Sequence, residues 1–276
     1  MAFKLNALVA TLIMAASAPA LATIDASSSG NGELFLTVWD EPGQKSYTLD
    51  LNVKMDDFLS GIAVSGKVYN YAADATMSSF LSMVAPADKS GLKFAIGAVD
   101  GTGATATSYY RTISSASNIV LGNDLANQIT NNNFKNLSTS ADQFLGDTNG
   151  ELSFYGVDSL IVTDPAAVRY AGSAQWGTNW GNAANFTSTG LIDNDAIVDG
   201  SDLGLYFLRQ ASGTFAKRNE ASIYEGIFQD GNQVYANLDM NGNLMIAAAP
   251  VPEADAYAMM LAGLGLIGFM IRRRAA

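Results

Sequence analysis

The residues able to do chemistry in this chain are few in type. It has 26 Asp and Glu, three Trp and eleven Tyr, but no His and no Cys. Without His or Cys there is no Ser-His-Asp or Cys-His arrangement, no zinc site of the usual N/S type and no disulfide. Carboxylates remain, and two of them can hydrolyse a glycoside without either residue. No particular pair stands out. Asp193, Asp195, Asp199 and Asp202 form an oxygen-rich cluster of the kind a hard cation such as calcium prefers. Their spacing departs from the twelve-residue calcium loop, and solvated turns are the competing interpretation. Asp147-Thr148-Asn149-Gly150 and Asp239-Met240-Asn241-Gly242 match the middle of that loop poorly. Trp176 and Trp180 sit among Gly, Asn, Gln and Thr. Such a segment can offer aromatic faces to sugar rings and amides to their hydroxyls, or it can cover the edge of a core. No cofactor is implied beyond calcium.

Charge narrows the partners. Of 15 Lys and Arg, four (Lys4 and Arg272 to Arg274) lie in the terminal segments, against two of the 26 acidic residues. The body between is therefore more acidic than the net charge of −11. Nucleic acid needs a basic footprint, so it is not an expected partner.

The two ends are the most informative segments. Lys4 precedes an uncharged apolar stretch, Ala7 to Ala16, and Ala20-Leu21-Ala22 is a small-x-small site. That order is an export signal, residues 1–22, cut by signal peptidase before Thr23. Ala18-Pro19-Ala20 is an alternative site. At the other end, Ala256 to Ile271 is free of charge. Sixteen residues of helix span about 24 Å, short of a hydrocarbon core of roughly 30 Å. Tyr257 and the snorkelling arginines extend its reach. Arg272, Arg273 and Arg274 set its orientation by the positive-inside rule, leaving the tail cytoplasmic and the body outside. Gly263, Gly265 and Gly268 would let another membrane helix approach closely.

Val251-Pro252-Glu253, the Gly-containing run Tyr257 to Gly265 and then Arg272 to Arg274 together resemble the PEP-CTERM sorting signal. Ala254 stands where that family usually has a second Pro. The resemblance covers about the last 26 residues. It implies recognition by an exosortase-like membrane protease that cuts near Pro252-Glu253. It also implies export in a Gram-negative bacterium, with extracellular polysaccharide as the surroundings of the mature protein.

Between the ends the alternation is that of strands. Glu33 to Trp39 and Ser46 to Leu51 read as a hairpin across Pro42-Gly43, with Tyr47, Leu49 and Leu51 on one face. Lys93 to Val99 and Thr107 to Ile113 read as a second pair. Leu152 to Tyr155, Ser159 to Thr163, Leu205 to Arg209, Ile223 to Phe228, Gln233 to Leu238 and Asn243 to Ile246 read as further strands, the last two joined by an Asn241-Gly242 turn. Asp74 to Val84 carries Met77, Phe80, Leu81 and Val84 at helical spacing, and Pro86 stops it. Asn118 to Ile129 is a second candidate helix, with Asn131 to Asn133 as a break. The expected fold is mainly β: an antiparallel β-sandwich-like domain over residues 23–249 with one or two short helices, followed by the sorting signal of residues 250–276 with a transmembrane helix over 256–271.

Overall fold

The computed structural model describes residues 23–25, 30–101, 111–116, 131–172, 203–209, 223–226, 228–229 and 232–248. Eleven strands are present among them: β1 (Glu33–Asp40), β2 (Lys45–Lys54), β3 (Tyr69–Tyr71), β4 (Lys93–Asp100), β5 (Arg111–Ala116), β6 (Ser159–Val162), β7 (Leu203–Arg209), β8 (Ile223–Gly226), β9 (Phe228–Gln229), β10 (Asn232–Leu238) and β11 (Leu244–Ala248). The helices are α1 (Met55–Ser65), α2 (Ala75–Met83) and α3 (Asn131–Tyr155).

The strands form one antiparallel sheet in the order β3-β11-β10-β7-β5-β4-β1-β2-β6, with β8 added to β7 and β9 to β10. The two-layer packing expected of a sandwich is thus achieved by one sheet curling over itself. A single core joins its two halves: Leu34, Leu36 and Val38 of β1 and Phe94 and Ile96 of β4 share it with Leu205 of β7, Val234 and Ala236 of β10 and Ile246 of β11. Period-two alternation carries this arrangement, as Leu34, Leu36 and Val38 of β1 and Phe94, Ile96 and Ala98 of β4 enter the core at every second position.

Helices α1 and α2 fill the inside of the curl. Helix α1 buries Met55, Phe58 and Ile62, which recur on one helical face. It follows β2 without a break. The N–H of Asp56 is satisfied by Asn31 Oδ1 at 3.0 Å, and Asp56 and Asp57 suit the positive end of the helix. Gly66, at φ 64°, closes it with an N-H of Lys67 donating to Gly61 O. Helix α2 buries Met77 and Phe80, as its spacing predicts, and Asp74 caps it by accepting from the Met77 N–H.

The opposite face of the sheet is covered by α3. Leu137, Ala141, Phe144, Leu145 and Leu152 form its buried stripe, and Phe144 meets Phe35 of β1 with ring centroids 5.9 Å apart. Here the sequence reading is corrected twice. Asn131 to Asn133 begin a helix instead of breaking one, and Leu152 to Tyr155 are its last turn, not a strand. Asn, Gly146 and Gly150 are poor helix formers, but burial of an apolar stripe outweighs propensity. The candidate helix Asn118 to Ile129 lies outside the described residues.

The turns follow their chemistry. In the loop from β10 to β11, Gly242 takes φ +86°, and Asp239 Oδ1 accepts from the N–H groups of Asn241 and Asn243. A Cβ on Gly242 would lie 2.4 Å from Met77 Cγ, so the loop also needs Gly to pack against α2. In the hairpin from β1 to β2 the positive φ falls on Gln44, at 51°, not on Gly43.

Candidate sorting signal and the body that carries it

The described carboxylates of the body are largely committed to structure. Asp147 lies within α3, so its segment cannot be a calcium loop. It accepts from the Arg169 N–H and guanidinium, both at 3.1 Å, and Glu151 pairs with the same arginine at 3.3 Å. Asp239 is held by Asn243 and Asn241. Burial pushes its pKa up, but these hydrogen bonds outweigh it and leave the carboxyl below its usual range. Among the described residues no group of three or more carboxylates is arranged to hold a metal ion.

Three polar clusters organise the fold. Asp74 caps α2 and its other oxygen accepts from the hydroxyls of Ser159 on β6 and Tyr47 on β2. Burial and the Asp74 carboxylate both push the Tyr47 phenol far up, so it stays a donor. Arg111 on β5 donates to Asp100 on β4 at 3.0 Å, to Asp56 on α1 at 2.7 Å and to the Gly30 carbonyl at 3.1 Å. Burial lowers its pKa and the hydrogen bonds to Asp56 and Asp100 more than compensate.

The third cluster lies at a β-bulge, where the register between β1 and β2 shifts and Asn52 takes φ 55°. Asp50, buried there, accepts from the Asn52 N–H at 2.7 Å. Burial pushes its pKa up to about 6. The Asn52 bond opposes this, and the neighbouring charges of Glu33, Asp158 and Asp25 add to it. Strict alternation places Asp50 opposite Tyr47, Leu49 and Leu51, on a face the sequence gives no sign of being covered. Helix α3 covers it.

The other sequence-derived site residues fall outside the described residues. This applies to Ala20 and Ala22, to Trp176 and Trp180, to Asp193, Asp195, Asp199 and Asp202, and to the whole segment from Val251, Pro252 and Glu253 through Gly263, Gly265 and Gly268 to Arg272, Arg273 and Arg274. The transmembrane helix over 256–271 lies outside them too, and no described helix is long and apolar enough to cross a membrane. The structure does fix where the tail departs. Strand β11 ends at Ala248, paired with Val234 of β10, leaving two residues, Ala249 and Pro250, before Val251.

Some features carry no recognisable signal in the sequence. Arg111 acts through partners far away in the chain, and the charges around Asp50 come from distant segments. Ile24, beside the expected cleavage site, is held by Asn149 of α3. At the end of α3, Phe154 and Tyr155 are 79% and 67% exposed and meet edge to face, with centroids 4.9 Å apart.

No curated protein and no solved structure matches the chain. Residues 250–274 match the PEP-CTERM protein-sorting motif, so this protein carries a signal for export and for processing by an exosortase-like membrane enzyme.

Proposed function

We propose that this is an exported, non-enzymatic surface protein that is cut twice. Signal peptidase removes residues 1–22. Helix 256–271 then holds the chain in the inner membrane of a Gram-negative bacterium, with Arg272 to Arg274 on the cytoplasmic side. An exosortase-like protease cuts near Pro252-Glu253, and the body passes to the cell surface or the extracellular polysaccharide. The match at residues 250–274 carries this reading. The acidic body and the commitment of its described carboxylates to structural contacts support a role without turnover or cofactor.

The test is the intact mass of the mature protein from its host, with and without the sorting enzyme. Loss of both ends in the wild type, with the tail retained when that enzyme is deleted, is expected. A protein keeping Arg272 to Arg274 in both strains would overturn the sorting step and leave a plain membrane anchor.

A carbohydrate-binding or adhesive role is the second reading. It is supported by the Trp176 and Trp180 segment and by the exposed pair Phe154 and Tyr155, since sugar rings stack on aromatic faces. It predicts polysaccharide affinity that falls on Trp→Ala or Phe154→Ala substitution. A carboxylate glycosidase would instead show turnover abolished by a single Asp or Glu change. Calcium at Asp193, Asp195, Asp199 and Asp202 would show as a calcium-dependent rise in Tm lost on Asp→Asn substitution.

A further inference from the structure

We infer that residues 23–25 form a strap that closes on the domain only after the export signal has been cut away. The inference rests on the export reading above. Cleavage after Ala22 leaves Thr23 first, and the next residue, Ile24, is fully buried. Its N–H donates to Asn149 Oδ1 at 2.9 Å, and its carbonyl accepts from Asn149 Nδ2 at 2.8 Å. One side chain of α3, 125 residues distant, thus satisfies both backbone groups of a buried residue. Asp25 continues the strap. Its N–H donates to Glu33 Oε2 at 2.8 Å, its carbonyl accepts from the Glu33 N–H at 3.1 Å, and its carboxylate pairs with Lys54 at 2.7 Å.

Two physical arguments set the order of events. A protease binds its substrate as an extended strand, through the backbone on both sides of the cut. Ile24 and Asp25 cannot lie in such a cleft while their N–H and C=O groups are held by Asn149 and Glu33. The tether is also short. From Ala16, where the apolar run ends, to Ile24 is at most about 28 Å of extended chain. While the signal remains in the membrane, Ile24 is confined near its surface, and the sheet and α3 would have to press against the bilayer to receive it. Cutting therefore comes first and docking second. The strap makes the mature domain more stable than its uncut precursor.

The experiment uses the full chain expressed with its export signal, either intact or carrying Ala20→Trp and Ala22→Trp to block cleavage. Each background is combined separately with Asn149→Leu and Ile24→Ala, and Tm is measured alongside intact mass. In the cut protein each substitution is expected to lower Tm by about 4–8 °C. The uncut protein should melt lower from the start, and neither substitution should shift it by more than about 1 °C. Equal losses in the two backgrounds would overturn the strap while leaving the export reading intact. A wild-type chain that retains residues 1–22 would overturn both. If Asn149→Leu fails to fold, Ile24→Ala carries the comparison.

Discussion

The Tyr71 hydroxyl donates to the Leu51 carbonyl at 2.9 Å. Tyr71 belongs to β3, one end of the sheet path, and Leu51 to β2, next to the other end. This bond and α2, which packs against β2 and β6, bring the two ends of the curl together. Replacing Tyr71 with Phe keeps the ring and removes the bond. Its expected cost is about 1 kcal/mol, measured as a fall in urea midpoint at unchanged slope.

Asp74 joins three elements, so its removal should cost more than a cap alone. Asp74→Ala deletes the α2 cap, worth about 1 kcal/mol, and leaves the buried Tyr47 hydroxyl without its acceptor, worth about 1–3 kcal/mol more. Asp74→Asn keeps the shape and should lose less. Tyr47→Phe should then rescue part of the Asp74→Ala loss in a double-mutant cycle. Additive losses would show the hydroxyl bond to be unimportant.

Asp100 is almost fully buried and its carboxylate is matched by Arg111. Arg111→Met removes the cation that matches that buried charge and should destabilise the domain by about 3–5 kcal/mol. A paired change, Asp100→Asn with Arg111→Met, should recover a large part of the loss. Chemical denaturation of the single and double variants checks this.

Asp50 predicts a pH dependence of definite sign. Its folded pKa, about 6, lies above the ordinary value of 3.8. Its ionised form is disfavoured in the folded state. The penalty is complete above about pH 6 and is relieved as pH falls toward 4. Asp50→Asn can still accept from the Asn52 N–H and removes the charge. It should stabilise the protein at pH 7 by up to about 3 kcal/mol, with the advantage vanishing near pH 4. Parallel stability curves for wild type and variant across that window would contradict the assignment.

For the tail, Pro252→Ala combined with Glu253→Ala should leave the sorting helix attached in the presence of the enzyme. Intact mass reads this directly. Normal trimming would show that recognition lies in the helix or the Arg cluster instead.

Strands were the legible part of the body. Period-two alternation located both members of the β1–β2 hairpin, and Asn241-Gly242 marked the turn before β11. Helix α2 was visible because Asp74 and Pro86 bracket a regular apolar spacing. Helix α1 was not, because it follows β2 with no turn residues and borrows its cap from Asn31. Helix α3 was misread because Asn131 to Asn133, Gly146 and Gly150 argue locally against a helix, while the sheet beneath argues for one. The sorting signal was legible because a membrane-bound enzyme reads it as sequence. Asp50 was not, because its burial and the charges of Glu33, Asp158 and Asp25 around it arise only in the folded chain.

The pairing of β3 with β11 has a consequence for biosynthesis. Residues 69–71 find their strand partner in residues 244–246, so an early segment must wait for one of the last to be made. In a chain synthesised and threaded outward from its N-terminus, the sheet cannot finish until β11 has emerged. By then the apolar run of residues 256–271 is following close behind into the translocation channel. Such distant pairing slows folding and prolongs the exposure of unpaired edges. Anchoring of the chain end and completion of the sheet therefore fall close together in time.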